Sequence, residues 1–301
     1  MNSEWWRPEG MDLLTLEPPP AGLDAFAEPP SIGDPDEEEE GEASHMATRV
    51  RRAIAFIHTN LMEPITLSGL ADVACYSPWH FDRMFQGRTG VPPMAYLTLA
   101  RIASARRQIT TTRHSIINVA YDVGYNSVGS FGKRFTALVG CSPTSLRHAA
   151  DRFDRARFQA RAAAAAELCA GYAGRACHGT VAFRGGESGF VFLALQHRGR
   201  MTPSPVTCAV ARAPGPFAIP LPGSGDFELV AIGFPDGVAD TALITQDEAP
   251  RARRNLSVMA VAGNARLALP LLLGAPTPDD VPIPPVFPLL LEQRFSEGEV
   301  H

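Results

Sequence analysis

The stretch Ile65–Arg147 contains one pattern twice. The first copy begins Leu70-Ala71-Asp72-Val73-Ala74-Cys75-Tyr76-Ser77, and the second begins Val119-Ala120-Tyr121-Asp122-Val123-Gly124-Tyr125-Asn126-Ser127. Tyr76 and Tyr125 are 49 residues apart, whereas the later pairs are 50 apart, which indicates one inserted residue. Those later pairs are Phe81 and Phe131, Phe85 and Phe135, Gly90 and Gly140, and Pro93 and Pro143. Two copies are too few for a solenoid, so the repeat predicts two helix-turn-helix units.

Local signals predict seven helices in this region. The first, Ala47–Asn60, places Val50, Ile54, Ile57 and Leu61 on one face at helical spacing. The others are predicted at Leu67–Ala74, from Pro78, at Pro93–Thr110, and after Ser115, Ser127 and Ser142. Serine and threonine cap helix starts, and proline fits the first helical position. Gly124 is expected to supply a positive-φ turn.

Two further motifs carry a family resemblance. They are Gly124-Tyr125-x-Ser127-x3-Phe131-x3-Phe135-x4-Gly140-Cys141-Ser142-Pro143 and Pro93-x2-Tyr96-Leu97-x3-Arg101-Ile102-x2-Ala105. This region resembles the DNA-binding domain of AraC/XylS transcription regulators. The resemblance implies promoter DNA and RNA polymerase as partners, and an activator. Two positions depart from the family pattern: Cys75 stands where a small residue, usually glycine, is expected, and Gln108-Ile109 replaces an apolar pair.

The candidate base-contacting residues lie on the second helix of each unit, which enters the major groove in this motif. They are Trp79, Asp82, Arg83, Gln86, Val128, Gly129, Ser130 and Lys133. Arginine can bind guanine, a carboxylate can accept from cytosine, and an aromatic ring can contact a thymine methyl. The alternatives are core packing for Trp79 and a solvated charge or phosphate contact for Arg83.

Candidate phosphate contacts are arginines and helix-capping serines, because helix N-termini favour phosphate. They are Arg49, Arg51, Ser77, Arg88, Ser127, Arg134 and Ser142. The helix that joins the two units is predicted to be roughly 27 Å long. One chain should therefore fill two major-groove segments about 10 bp apart on an asymmetric site.

Charge is unevenly distributed along the chain. Residues 46–150 carry 11 arginines and Lys133 against four acids, a net charge of +8, although the whole chain carries −5. Such a basic region is typical of polyanion binding. Lys133 is the only lysine, and the abundance of alanine, glycine, proline and arginine is typical of a GC-rich bacterial gene.

The N-terminal residues 1–45 are predicted to form a disordered acidic tail. They hold one arginine and 13 acids, with proline clusters, and bury too little apolar surface to offset ordering entropy. Trp5-Trp6 could anchor a partner, but a solvated tail is favoured. Ser44-His45-Met46 also resembles residues left by cloning, which would make the segment a tether or tag. Residues 151–178, rich in alanine and arginine, are predicted to be a helical linker.

From residue 179 to 295 the pattern predicts an all-β sandwich for effector binding or dimerisation. Short β runs between glycine and proline turns suggest this fold. They are Thr180–Arg184, Gly189–His197, Val206–Ala213, Phe217–Leu221, Asp226–Gly233, Asn255–Ala262 and Arg266–Leu273. The Phe217–Leu229 segment is similar to a hairpin of prealbumin-like sandwiches, and Gly185–Gly189 is interpreted as a hairpin turn.

No enzyme, cofactor or metal site is expected. The sequence lacks a paired-carboxylate, Ser-His-Asp or phosphate-loop pattern, and the methyl-acceptor cysteine motif of a repair enzyme is absent. Cys169 and Cys177 near His178 could bind metal or sense redox state, but zinc sites favour tighter spacing. No apolar run approaches the roughly 20 residues of a membrane span. A cytoplasmic protein with reduced thiols is expected.

The sequence therefore predicts a DNA-binding transcription regulator whose C-terminal β-domain senses a small-molecule effector or contacts a partner. Two alternatives remain. One is an architectural DNA-binding protein, against which Asp82 argues. The other gives the main role to the β-domain, as a carbohydrate- or protein-binding module.

Overall fold

The computed structural model describes residues 35–197, 206–258 and 269–282. Helices α1 to α7 form a helical unit, and α8, α9 and β1 to β7 form a β-unit. The helices are α1 (Pro35–Thr59), α2 (Leu67–Val73), α3 (Pro78–Thr89), α4 (Pro93–Thr111), α5 (Ile116–Asp122), α6 (Val128–Val139), α7 (Pro143–Asp151), α8 (Arg155–Ala170) and α9 (Asp240–Thr245). The strands are β1 (Ala176–Phe183), β2 (Gly189–His197), β3 (Thr207–Ala213), β4 (Gly215–Pro220), β5 (Gly225–Pro235), β6 (Arg251–Val258) and β7 (Leu269–Leu273).

The sequence repeat is visible in the backbone of the helical unit. Tyr76 N donates to Ala71 O at 2.9 Å, and Tyr125 N donates to Ala120 O at 3.0 Å. Each bond closes the turn between the two helices of one unit, α2 and α3 in the first and α5 and α6 in the second. The equivalent positions in these turns have positive φ, with Cys75 at 56° and Gly124 at 80°. The predicted tandem helix-turn-helix arrangement is confirmed.

The core of the helical unit contains the apolar positions that the sequence pattern selects. Val50, Ile54 and Ile57 of α1 are at most 2% exposed. Phenylalanine pairs one turn apart pack in α3 and α6, with ring centroids 5.4 Å apart in both pairs. The two helix-turn-helix units, called the two readers below, thus share one core. Helix α4 runs through this core and connects them.

Helix α1 begins at Pro35, twelve residues before the predicted start at Ala47 and within the segment predicted to be a disordered tail. Proline is favoured at a helix start because the N–H that it lacks has no helical partner there. Residues 1–34, including Trp5-Trp6, lie outside the described residues.

The β-unit contains two sheets that share a core. In one sheet β1 pairs antiparallel with β4 and parallel with β7, and in the other the order β3-β2-β5-β6 is antiparallel throughout. Val181 and Phe183 of the first sheet and Val191, Leu193 and Leu229 of the second belong to one buried cluster. The described strands form two packed layers, but the parallel β1–β7 pair does not confirm a prealbumin-like topology.

Two predicted hairpins are wrong. The turn at Gly185–Gly189 connects β1 to β2, and the segment Phe217–Leu229 connects β4 to β5, but both connections pass from one sheet to the other. A turn sequence shows that the chain reverses, whereas strand pairing depends on residues distant in sequence. β4 pairs with β1, and β5 lies between β2 and β6.

Helix α8 covers the outer face of the larger sheet. Phe158, Ala162 and Ala165 are buried with apolar residues of that face, among them Phe190, Phe192, Val210, Val230, Ile232 and Phe234. Because both faces of β2 are covered, its sequence is a nearly continuous apolar run instead of an alternating one. Within residues 151–178, predicted to be a helical linker, α8 spans Arg155–Ala170 and β1 begins at Ala176; α8 belongs to the β-unit core and is more than a linker.

The two units are in direct contact. Ile244 of α9 and Val281 are buried in the same cluster as the core of the helical unit. Arg106 of α4 is 2% exposed; its guanidinium donates to Thr245 O and pairs with Asp247 at 3.3 Å. Burial lowers the pKa of Arg106 to about 10, so it stays charged at neutral pH. Among the described helices, none is both long and apolar enough to span a membrane.

Candidate nucleic-acid interface

The predicted reading face of α3 points to solvent. Trp79 is 69% exposed, which excludes core packing, and Arg83 and Gln86 are exposed one and two turns further along. The guanidinium carbon of Arg83 lies 5.2 Å from the centroid of the Trp79 ring. This cation–π contact pre-orients the arginine at little entropic cost. Asp82 is half-buried beside them. The face therefore presents hydrogen-bonding donors and acceptors together with an aromatic surface.

The outer face of α6 is plainer. Gly129, Ser130 and Lys133 are exposed, whereas Val128 is half-buried and packs against the core of the helical unit. Val128 is therefore less available for a base contact than its position on the helix suggests. Of the four predicted contact residues on this helix, only Ser130 and Lys133 can form hydrogen bonds through side chains.

The capping serines differ in the role of their hydroxyl groups. Ser127 Oγ accepts from Ser130 N at 3.4 Å, and Ser142 Oγ accepts from Ser145 N at 3.1 Å. These two side chains fix the starts of α6 and α7. Ser77 precedes Pro78, and its side chain forms no capping bond at the start of α3. All three serines lie at helix N-termini, where a phosphate would be favoured.

The predicted phosphate-binding arginines occupy different environments. Arg49 donates to Cys75 O at 3.3 Å and lies 4.9 Å from the centroid of the Tyr76 ring, so it braces the first turn. Arg51 donates to Ala47 O of its own helix, and Arg134 is exposed. Arg88, at the end of α3, pairs with Asp279 of the segment after β7. Sequence reasoning missed this pair, because the partners are 191 residues apart.

The cysteines do not form a metal site within the described parts of the chain. No group of three histidine, cysteine, aspartate or glutamate residues is arranged to hold a metal there. Burial raises the pKa of Cys177 to about 11, which keeps its thiol protonated and a poor metal ligand. Cys169 Sγ instead accepts from Val210 N at 3.4 Å, which helps to hold α8 on the larger sheet.

Comparison with known proteins identifies the helical unit. A family profile described as a helix-turn-helix domain matches residues 70–149. The HTH-type transcriptional activator AarP of Providencia stuartii is 32% identical over 98 residues, which are 33% of this chain and 73% of AarP. The chain belongs to the AraC/XylS family. As a member of that family, it is a DNA-binding transcription regulator.

Other regulators match a similar share of the chain. The regulatory protein SoxS of Escherichia coli is 28% identical over 99 residues, 33% of this chain and 92% of SoxS. The match to the regulator YobQ of Bacillus subtilis covers only 40% of that protein. A solved structure of the DNA-binding domain of AdpA with a target DNA is 30% identical, with a TM-score of 0.33, and covers 36% of this chain and 94% of that one. The matches to AarP, SoxS and YobQ each cover about a third of the chain.

The Arg88–Asp279 pair leads to a prediction for this AraC/XylS-type unit. Asp279→Asn removes the carboxylate that neutralises Arg88, so Arg88 becomes available to a DNA phosphate. Each phosphate neutralised adds about 0.9 to the slope of log affinity against log salt concentration. We expect DNA binding to strengthen at low salt and this slope to steepen by about one. Fluorescence anisotropy titrations at several salt concentrations would measure both effects.

A matched control for this experiment is Asp236→Asn, which removes an exposed ion pair with Arg212 inside the β-unit. It should leave the salt slope unchanged. In an Arg88→Ala background, Asp279→Asn should also have no effect on DNA affinity. A slope that changes for neither Asp279→Asn nor Arg88→Ala would show that Arg88 does not contact phosphate.

Proposed function

We propose that this protein is a sequence-specific transcription activator that binds promoter DNA as a monomer, with both helix-turn-helix units of one chain contacting the DNA. The exposed face of α3 carries the proposal. Trp79, Arg83 and Gln86 project from a helix-turn-helix second helix and can all contact base edges. The activator AarP supports the sign of regulation, and RNA polymerase is the partner that activation requires. Promoter binding would place the protein in the cytoplasm.

The two reading helices are proposed to contribute unequally. The α3 face offers an arginine, an aspartate, a glutamine and an indole, whereas α6 offers a half-buried valine, a glycine, a serine and a lysine. Lysine is a flexible point charge, and glycine has no side chain to discriminate bases. We infer that α3 supplies most base discrimination and that α6 mainly supplies backbone affinity and fit to the groove.

A rigid α4 between unequal readers favours an asymmetric operator. Both helix-turn-helix units pack on α4, whose 19 residues are roughly 28 Å long. Successive major-groove segments on one face of DNA are about 10 bp apart. The alternative of an architectural DNA-binding protein is less favoured. Such a protein would not read bases, so the Asp82 carboxylate would face the negatively charged phosphates without a hydrogen-bond donor on a base.

The unequal roles predict different responses to two substitutions. Arg83→Ala should cost about 1–3 kcal/mol on the preferred site and relax selection at one base pair. Lys133→Ala should weaken specific and non-specific DNA binding similarly and reduce the salt slope by about one. Titration of both variants on a panel of single-base operator variants, at two salt concentrations, would separate these effects.

A control for charge removal is Arg157→Ala, an exposed position on α8, the helix that packs on the larger sheet of the β-unit. It should alter neither selection nor affinity beyond error. The assignment is reversed if Lys133→Ala abolishes discrimination at a base while Arg83→Ala lowers affinity for all sites equally. In that case α6 is the main reader.

The β-unit is proposed to act as the effector part of the regulator, by sensing a ligand or contacting a partner. Its contact with α4 supports this role, because α4 connects both readers. Arg106 on α4 donates to the carbonyl oxygen of Thr245, the last residue of α9, and to the carboxylate of Asp247, and Tyr96 Oη donates to Asp280 O at 3.3 Å. A change in the β-unit would therefore be transmitted directly to the helix that sets the spacing of the readers.

A further inference from the structure

An open cavity lies between the helical unit and the β-unit. Its volume is about 530 Å³. One wall is formed by α1 and α4, and the other by β5, the segment after α9 and the segment after β7. Small-molecule sites commonly measure about 300–1,000 Å³ and occur preferentially where domains meet. Size and location thus fit a site for a small organic ligand.

The charged residues around the cavity favour an anion. Four arginines and two aspartates line it, which leaves a net charge of +2. The lining arginines and aspartates are Arg51, Arg106, Arg107, Arg251, Asp247 and Asp280. The excess positive charge lies beside apolar walls, where an opposite charge is attracted more strongly than in bulk water.

Two of the four arginines are already committed to holding the protein together. Arg106 binds Thr245 O and Asp247, and Arg251 donates to Gln246 O and Asp247 O at 3.2 and 3.1 Å. These two fix the segment after α9 that forms one wall. The Nη2 atoms of both arginines donate to protein groups, so the two residues shape the cavity and contribute positive potential.

The other two arginines lie on the helical wall and are better placed to meet a ligand. The Arg107 side chain is 62% exposed, and it lies 3.8 Å from one carboxylate oxygen of Asp247, whose other oxygen pairs with Arg106. Arg51 is exposed and donates to Ala47 O, a neutral acceptor. Among the described residues no carboxylate forms an ion pair with Arg51.

The remaining lining is mainly apolar. The apolar surface that stays accessible is provided by Ala55, Leu61 and Ala103 on the helical side and by Pro276, Pro278 and Pro282 of the segment after β7. Polar anions such as sulfate would leave these surfaces in contact with water. A ligand that combines one negative group with an apolar body would satisfy both parts of the wall.

We propose that this interdomain cavity binds a small organic carboxylate with an apolar body. The carboxylate is held by Arg51 and Arg107, and the body lies against Leu61, Ala103 and the prolines of the segment after β7. The inference deepens the proposed effector role of the β-unit and rests on it. A ligand there contacts α4 and the β-unit at once, so it is positioned to change how the two helix-turn-helix units are arranged on α4.

The test is calorimetric titration of the full chain, without DNA, with three probes: cyclohexanecarboxylate, phenylacetate and 3-phenylpropionate. The corresponding neutral amides serve as matched ligands. We expect saturable binding of at least one carboxylate with a Kd below about 1 mM, and binding of its amide weakened about tenfold or more. Arg107→Gln and Arg51→Gln should each weaken carboxylate binding about tenfold.

The protein control is Arg52→Gln, an exposed arginine next to Arg51 that does not line the cavity. It should bind the carboxylate as the unaltered chain does. The proposal is overturned if no probe binds below about 1 mM, or if Arg52→Gln and Arg107→Gln weaken binding equally. DNA affinity is measured on the same samples, so loss of DNA binding, which tests the regulator proposal, is distinguishable from loss of carboxylate binding.

Discussion

Replacing Phe158 with alanine is expected to destabilise the β-unit by about 3–5 kcal/mol, the usual cost for a fully buried phenylalanine. Phe158 is 2% exposed on α8. Its ring centroid lies 6.4 Å from that of Phe190 and 6.2 Å from those of Phe192 and Phe234. The substitution removes these aromatic contacts and leaves a cavity between the helix and the larger sheet.

The measurement is the free energy of unfolding from urea titration, with amide hydrogen exchange to locate the loss in β2 and β5. Leu168→Ala, on the same helix, is the matched control because Leu168 is 71% exposed. It should change stability by no more than about 0.5 kcal/mol. If Phe158→Ala costs as little as Leu168→Ala, then α8 is only a tether between the two units.

The positions of the helices in the helical unit follow from local sequence signals. Thr66 and Ser115 accept capping bonds from Gly69 N and Asn118 N, as their positions before the helices predict. Proline at the starts of α3, α4 and α7 has a similarly local effect. Four of the seven predicted β runs match β2 to β5 within two residues at each end, because glycine and proline turns separate the apolar runs. β1 and β6 each begin four residues earlier than predicted, and residues 259–268 lie outside the described residues.

Pairing and docking could not be predicted, because they depend on residues far apart in the sequence. β1 lies beside β4 and β7 and not beside its neighbour β2. In α8 the buried Phe158, Ala162 and Ala165 recur at spacings of 4 and 3, a core-facing signal that the surrounding alanines conceal. The predicted site residues on α3 were placed by the motif, whereas the contact of Arg88 with Asp279 required the three-dimensional structure.

Substitution of Gly124 by alanine is expected to cost about 3–5 kcal/mol and to unfold the second reader preferentially. Gly124 has φ of 80°, a conformation that costs an alanine about 1–2 kcal/mol. A Cβ at this position would also lie 2.3 Å from Leu61 O and 2.7 Å from the Arg101 guanidinium. Neither neighbour can move freely, because Arg101 Nε donates to Leu61 O at 3.0 Å.

The equivalent turn of the first reader provides the reverse experiment. Cys75 has φ of 56° and is exposed, so Cys75→Gly should relieve backbone strain and stabilise the protein by about 0.5–1 kcal/mol after the entropic cost of glycine. Urea titration would compare the two variants, and amide exchange in α5 and α6 would show which reader opens. If Gly124→Ala and Cys75→Gly changed the free energy of unfolding equally, the two turns would not be equivalent in conformation, contrary to the repeat in the sequence. A stable Gly124→Ala variant would show that α4 can shift away from the loop at Leu61, and so that the linker helix is not held rigidly between the readers.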